Sequence, residues 1–148
     1  MQYKKGIIDT NIYVYAIDQL SPFHEAANKF VSHMFEKRLA VLTPQIMLDL
    51  FNVLSSQAKT ESQLSKFSSI IELYYSEFIQ QFVFPTEFTG LNAVRFAAKQ
   101  GINKRNKLFD YYLAQTAIEN GINTLYTRNV KDFIEFSQLE IINPLVVL

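Results

Sequence analysis

The fold is decided by residues 6–17, which read GIIDTNIYVYAI. The first three residues, Gly6-Ile7-Ile8, form a short predicted strand, and Ile12–Ile17 is predicted to be helical. A strand followed by a helix is one unit of a parallel α/β sheet, in which ligands bind beyond the carboxyl ends of the strands. Asp9 ends the strand and is therefore the first candidate for a functional residue.

The remainder of the chain repeats this alternation of strands and helices. Further strands are predicted at Leu39–Leu42, Phe82–Phe84, Thr124–Tyr126 and Ile141–Ile142. Helices are predicted from Ser21-Pro22 to about Arg38, from Thr43-Pro44 to about Ser55, from Glu61 to Phe78, from Thr86 to Gly101 and from Leu108 to Asn120. Ser21, Thr43 and Thr86 are interpreted as helix caps. No repeat or linker interrupts this pattern, so residues 1–148 are expected to form one domain, a parallel sheet with helices on both faces.

Composition restricts the classes of site that the chain can carry. It has no cysteine, which excludes disulfides and Cys-based zinc or redox sites, and His24 and His33 have no common metal-ligand spacing. The 14 basic and 14 acidic residues cancel, which argues against a general nucleic-acid coat protein. The N-terminus has no signal-peptide pattern and no apolar run reaches membrane-spanning length, so a cytoplasmic protein without a membrane partner is the expectation.

The acidic residues fall into a pattern that favours a metal site. Asp9 ends the first strand, and Asp132 closely follows the strand Thr124–Tyr126, so both are expected at one edge of the sheet. Asp49 lies at the edge of an apolar helical stripe, and Asp110 shares a helical face with apolar residues. Two carboxylates about 4 Å apart repel by about 4 kcal/mol at an effective dielectric near 20, and a divalent cation removes that conflict. Each acid alone has a simpler interpretation as a turn former, rim residue, helix-dipole partner or surface charge.

Four segments, taken in order, resemble the PIN-domain nucleases and particularly their VapC-like toxin branch. The segments are Ile7–Asn11, Thr43–Gln45 with Asp49 and Asn52, Phe109-Asp110 with Ala114–Ala117, and Leu125–Asn129 with Lys131–Phe133. The resemblance implies a three-layer α/β/α sandwich with a central parallel sheet of four or five strands. It also implies hydrolysis of RNA phosphodiester bonds that depends on Mg²⁺ or Mn²⁺.

The same resemblance assigns roles to individual residues. Asp9, Asp49 and Asp110 correspond to the catalytic, metal-binding acids of the family, and Asp132 is a further metal ligand in its fourth motif. Supporting hydrogen bonds to a carboxylate or phosphate are expected from Thr10, Asn11, Thr127 and Asn129. Apart from the resemblance, the segregation of basic residues leads us to expect RNA contacts from Lys104, Arg105, Lys107 and Arg128, although the run of bases from Arg95 to Lys107 is also consistent with a solvated surface.

Two departures from the family pattern affect the expected metal site. The second acid is Asp49 where Glu is common, and Asn129 stands where many relatives have Asp. The resemblance also implies an antitoxin protein that covers the cleft, and a homodimer. Two alternatives stay open: a non-catalytic PIN-like module that binds RNA or protein, and a phosphotransferase of the haloacid-dehalogenase type. Phosphotransferases of that type require a second Asp two residues after the first, where this chain has Asn11.

Overall fold

The sheet consists of four parallel strands in the part of the chain that the computed structural model describes, residues 2–101 and 107–146. The strands are β1 (Gly6–Ile8), β2 (Ala40–Val41), β3 (Thr124–Tyr126) and β4 (Glu140–Ile142), in the spatial order β2-β1-β3-β4. The central strands β1 and β3 are buried along their whole length. Their carboxyl ends lie side by side, because Ile8 pairs with Tyr126.

Helices cover both faces of this sheet, which confirms the three-layer α/β/α arrangement. They are α1 (Thr10–Ile17), α2 (His24–Glu36), α3 (Pro44–Ser56), α4 (Glu61–Phe78), α5 (Thr89–Gln100) and α6 (Leu108–Glu119). Helix α1 packs against α2 and α3, whereas α5 packs against α6. None of the described helices is long and apolar enough to cross a membrane.

A close approach of β1 to β3 requires glycine at position 6. A Cβ atom on Gly6 would lie 2.7 Å from the carbonyl oxygen of Thr124 and 2.9 Å from the ring of Tyr126. The Tyr126 hydroxyl, in turn, accepts a hydrogen bond from the Lys4 backbone N–H and donates one to the Lys4 carbonyl, both over 2.9 Å. This packing fixes the height of β1 relative to β3, and with it the position of the loops that follow both strands.

The predicted strand at Phe82–Phe84 is wrong. This segment makes a single parallel bridge, between Leu42 and Phe82, in which the Val83 N–H donates to the Leu42 carbonyl over 2.8 Å. A 3₁₀ turn at Ile79–Gln81 precedes the bridge, and Pro85, which lacks an N–H, follows it. The hydrogen-bond pairing with the segment at Leu42 therefore ends after one bridge.

Two of the three predicted helix caps, Ser21 and Thr86, are also wrong. Ser21 accepts a hydrogen bond from the Phe23 N–H, and Thr86 accepts one from the Phe88 N–H, so each forms a local turn. The helices therefore begin three residues later, at His24 and Thr89. Thr43 is a true cap, because its hydroxyl accepts from the Ile46 N–H over 3.1 Å and Pro44 occupies the first helical position.

Candidate active site

A cleft of about 400 Å³ lies at the carboxyl ends of β1 and β3, between α1, α3 and α6. All four acids expected from the sequence line it: Asp9, Asp49, Asp110 and Asp132. Three of the four residues expected to support them, Thr10, Asn11 and Asn129, line it as well. The structure thus brings together side chains from four separate segments of the chain.

Asp9 is held from three directions at the end of β1. Its backbone N–H donates to the Tyr126 carbonyl over 2.9 Å, which continues the β1–β3 pairing. As the cap of α1, its Oδ1 atom accepts from the Thr10 N–H over 2.7 Å. Its Oδ2 atom accepts from Asn11 Nδ2 over 2.8 Å and from the Thr127 hydroxyl over 2.7 Å. The carboxylate therefore has one fixed orientation.

Burial is the main reason that the pKa of Asp9 lies above its usual value. The hydrogen bonds from Thr127 and Thr10 lower this pKa, whereas the charges of Asp49 and Asp132 raise it further. The carboxylate form is thus stabilised by polar donors, but neighbouring charges of the same sign oppose it. This combination is expected of an acid whose counter-charge comes from outside the chain.

Asp110 shares the same electrostatic environment. It lies half-buried in the first turn of α6, and burial together with Asp9 and Asp132 raises its pKa to about 6, against a smaller opposite effect of Lys107. Asp49, on α3, remains exposed at the rim of the cleft, and partial burial raises its pKa. Burial thus raises the pKa of all three acids, and the charges of Asp9 and Asp49 also raise that of Asp110.

Lys107 and Asp132 form an ion pair beside these acids. The Lys107 ammonium lies 3.0 Å from Asp132 Oδ1 and donates to the Lys131 carbonyl over 3.3 Å. Both partners are largely shielded from solvent, with side chains 22% and 35% exposed. Lys107 therefore serves as an internal counter-charge of the cleft, although the sequence suggested it as an RNA contact.

The supporting polar residues form a network around Asp9. Asn11 Nδ2 also donates to the Thr127 hydroxyl over 3.1 Å, and that hydroxyl accepts from the Asn129 N–H over 3.0 Å. Thr10 contributes its backbone N–H, whereas its buried hydroxyl has no hydrogen-bond partner in the described residues. The hydrogen bond by which Thr10 supports Asp9 is therefore made by its backbone.

Some residues around the cleft were missed in the sequence. Tyr15 lines the cleft, and its hydroxyl accepts a hydrogen bond from Arg128 Nη1 over 3.2 Å. The four-residue spacing from Asn11 to Tyr15, which places both on one helical face, was the available signal. Phe23, which contacts Arg128, had no such signal. Two further expected RNA contacts, Lys104 and Arg105, lie outside the described residues.

The donors in this cleft suit a hard cation. Within residues 2–101 and 107–146, no three acidic side chains are close enough together to enclose a metal ion by themselves. Mg²⁺ commonly takes only one or two protein carboxylates and completes its shell with water and phosphate oxygens. The available donors are carboxylate, hydroxyl and amide oxygens, and the acids outnumber their basic partner, so the residues present fit Mg²⁺ or Mn²⁺.

Comparisons with known proteins agree with the fold. A family model described as the PIN domain matches residues 7–139. The ribonuclease VapC24 of Mycobacterium tuberculosis is 23% identical over 140 residues, which cover 93% of this chain and 95% of that protein.

Two solved structures share the architecture. FitAB bound to an IR36 DNA fragment superposes with a TM-score of 0.73 at 14% identity, covering 96% of each chain. VapBC2 from Rickettsia felis, bound to a DNA fragment from its promoter, gives a TM-score of 0.63 at 20% identity, covering 93% of this chain and 96% of that one. At such identities these structures establish the fold.

Proposed function

The chain belongs to the PIN domain family, and from that membership we propose that it is a ribonuclease that depends on Mg²⁺ or Mn²⁺ and acts as the toxin of a toxin–antitoxin pair. One observation carries the catalytic part of the proposal: Asp9, Asp49, Asp110 and Asp132 line a single cleft beyond the strand ends. RNA as the substrate is supported by the similarity to a protein named as a ribonuclease.

Asp9, Asp49 and Asp110 are proposed to hold the metal, with Asp132 as a further ligand and with water molecules between the ion and those carboxylates that do not reach it directly. A carboxylate offers about four lone-pair positions. Two donors already occupy Asp9 Oδ2, whereas Oδ1 accepts only from the Thr10 N–H, so Oδ1 is the oxygen with spare capacity for a cation. Asp49 is one methylene shorter than the Glu common in this family, and its exposure at the rim suits a contact through water.

Once bound, the ion supplies Lewis-acid chemistry: it lowers the pKa of a bound water and offsets charge that develops on the phosphate. The chain's own residues orient the site. Thr127, Asn11 and the Thr10 N–H keep Asp9 in position, and the raised pKa of Asp110 still leaves it largely ionised near pH 7.5. Thr10 lines the cleft, and its buried hydroxyl, which has no partner among the described residues, is proposed to bond to a phosphate oxygen or water there.

The toxin role rests on relatives. FitAB and VapBC2 are named as two-component complexes on DNA, and the same assembly is proposed for this chain with an antitoxin that covers the cleft. A homodimer and a cytoplasmic location are part of the same proposal. Mass measurement of the purified chain in solution, with and without the product of a neighbouring gene, tests both forms of assembly.

The catalytic proposal is tested with a mixed RNA pool in the presence of Mg²⁺, Mn²⁺ or EDTA. Wild-type protein is expected to cleave with either ion and not with EDTA, and Asp9→Asn is expected to lose at least about 100-fold in rate. Asp18→Asn is the matched control, because this exposed aspartate lies outside the cleft. Equal activity of the Asp9→Asn and wild-type proteins would overturn the proposal.

A non-catalytic module that binds RNA or protein is the second candidate. Two observations favour it: the fourth motif has the neutral Asn129, and Lys107 already neutralises Asp132. Such a module would bind RNA without cleaving it, and Mn²⁺ would scarcely raise its melting temperature.

A further inference from the structure

Arg128 is a cation held in place at the edge of the cleft. Its guanidinium carbon lies 4.4 Å from the ring centroid of Phe23 and 5.7 Å from that of Tyr15. Its Nη1 atom donates to the Tyr15 hydroxyl over 3.2 Å, and its backbone N–H donates to Asn11 Oδ1 over 3.3 Å. Stacking and hydrogen bonds therefore limit the rotamers of an otherwise exposed side chain, so less conformational entropy is lost when it binds a ligand.

No acid neutralises this guanidinium in the described part of the chain, where the ion pairs are Lys4–Glu140 and Lys107–Asp132. Arg128 thus differs from Lys107, whose charge is taken up by Asp132. Of its five donors, one is used by Tyr15, which leaves a planar edge available to an anion. An arginine stacked on aromatic rings, with its charge unpaired, is suited to bidentate contact with a phosphate.

The position of Arg128 is coupled to that of the central acid. It directly follows Thr127, whose hydroxyl donates to Asp9, and its N–H bonds to Asn11, which also donates to Asp9. Tyr15, its other partner, lines the cleft. A phosphate bound to Arg128 would therefore lie at a fixed distance from the carboxylates. Such an arrangement suits a single strand of RNA in which one phosphate is cleaved at the acids while a neighbouring phosphate is bound by Arg128.

We propose that Arg128, stacked on Phe23 and tethered to Tyr15, binds a non-scissile backbone phosphate of a single-stranded RNA that occupies the cleft. The inference rests on the proposed function and adds a positioning residue to it. It also explains how negatively charged RNA binds beside four acids, because Arg128 is a cation outside the metal site and contributes to the binding. Because phosphates are common to all sequences, this contact strengthens binding without selecting bases.

The test measures binding and cleavage separately. Binding of a fluorescent ten-nucleotide RNA to proteins that carry Asp9→Asn is followed by anisotropy at several salt concentrations, so that cleavage does not interfere. Adding Arg128→Gln is expected to weaken binding about tenfold and to reduce the slope of log Kd against log salt by about 0.7, the value for one phosphate of a single strand. Phe23→Leu keeps the charge, so it should weaken binding less and leave the slope unchanged.

Two controls separate this role from a structural one. Lys66→Gln removes one charge from the exposed face of α4, outside the cleft, and should leave the slope unchanged. In the catalytically intact protein, Arg128→Gln should raise KM with little change in kcat, because a flanking contact is made equally in the ground state and transition state. Melting temperatures report any loss of fold independently.

Three results would overturn the proposal. If wild-type protein cleaves RNA and Arg128→Gln retains its Kd, salt slope and KM, the positioning role fails while the proposed function stands. If Arg128→Gln loses affinity for a polyglutamate peptide but not for RNA, the residue serves an acidic protein partner instead. If the wild type neither binds nor cleaves RNA, the proposed function and the role of Arg128 fail together.

Discussion

The hydroxyl of Thr127 donates a hydrogen bond to Oδ2 of Asp9 over 2.7 Å, although the two residues stand 118 positions apart in the chain. The bond joins the residue after β3 to the residue after β1, and the backbone bond from the Asp9 N–H to the Tyr126 carbonyl runs beside it. The orientation of the central carboxylate is thus set by the neighbouring strand as well as by its own helix.

Thr127→Val is therefore expected to reduce activity or metal affinity by about 10- to 100-fold while the protein stays folded. Valine fills the same buried space but cannot donate to Asp9, and it also leaves the Asn129 N–H without its acceptor. Thr127→Ser keeps the hydroxyl and should retain most of the activity. Cleavage rates and Mn²⁺ titrations of the three proteins make the comparison, and equal values for Val and Thr would show that the bond is dispensable.

The pKa of Asp110, raised to about 6 chiefly by burial and then by Asp9 and Asp132, predicts a pH-dependent stability of the metal-free protein. A folded-state pKa above the unfolded value of 3.8 means that the folded state binds more protons between these values, so stability falls as the pH rises through this window. In EDTA, Asp110→Asn should therefore raise the free energy of unfolding at pH 7.5 by about 1 kcal/mol after solvent screening.

This stabilisation should shrink as the pH falls to 4.5, because protonated Asp110 is already neutral in the folded wild-type protein. Thermal melts of Asp110→Asn and wild type across this range provide the measurement. Glu87→Gln is the control, because this exposed acid lies outside the cleft and should give a difference that does not follow pH in this way. A stabilisation that grows toward low pH would contradict the assignment.

The elements at the site were predictable because their signals are local. The four strands of the sheet, the long helix Glu61–Phe78 and the Thr43-Pro44 helix start depend on short apolar runs, helical periodicity and a cap that lie within a few residues. Asp9 and Asp132 could be placed at one edge because parallel strands end together, whereas Asp49 and Asp110 were added from their helical faces and the family resemblance. The corrected starts at Ser21 and Thr86 share one cause: a hydroxyl can bond to the N–H two residues on as readily as it can cap a helix.

What the sequence did not predict depends on contacts between distant segments. The pairing of Lys107 with Asp132 requires the start of α6 to meet the turn after β3. The stacking of Arg128 on Phe23 requires the start of α2 to meet the loop after β3. Neither pair has a fixed spacing that a pattern could recognise. Likewise, Phe82–Phe84 has the composition of a strand, but its pairing is limited by the turn before it and the proline after it.

Two glycines provide a matched test of the fold. Gly6→Ala would place a Cβ 2.7 Å from the Thr124 carbonyl oxygen, so the two central strands must move apart, at a cost of about 1–3 kcal/mol. Gly90→Ala adds a Cβ in α5 at an ordinary 3.8 Å from Tyr112 and should stabilise the protein by up to about 1 kcal/mol. Denaturant unfolding of both variants decides, and a harmless Gly6→Ala would mean that the strands are less tightly packed than the structure shows.

The ion pair between Lys107 and Asp132 leads to a prediction about metal affinity. Lys107 places a positive charge beside acids that are proposed to bind a cation, and its ammonium occupies Asp132 Oδ1. Lys107→Gln should therefore tighten Mn²⁺ binding by roughly fivefold at pH 7.5, the effect of about 1 kcal/mol from a partly shielded charge.

Asp49→Asn should also weaken Mn²⁺ binding more than Asp132→Asn does. Asp49 has no basic partner among the described ion pairs, whereas the charge of Asp132 is already neutralised by Lys107. Calorimetric titration of the wild type and the three variants gives the order of affinities, with Lys66→Gln as the control for loss of a distant positive charge. If Lys107→Gln binds Mn²⁺ more weakly than wild type, Lys107 supports the metal site by orienting Asp132, and the fourth motif contributes a ligand in spite of Asn129.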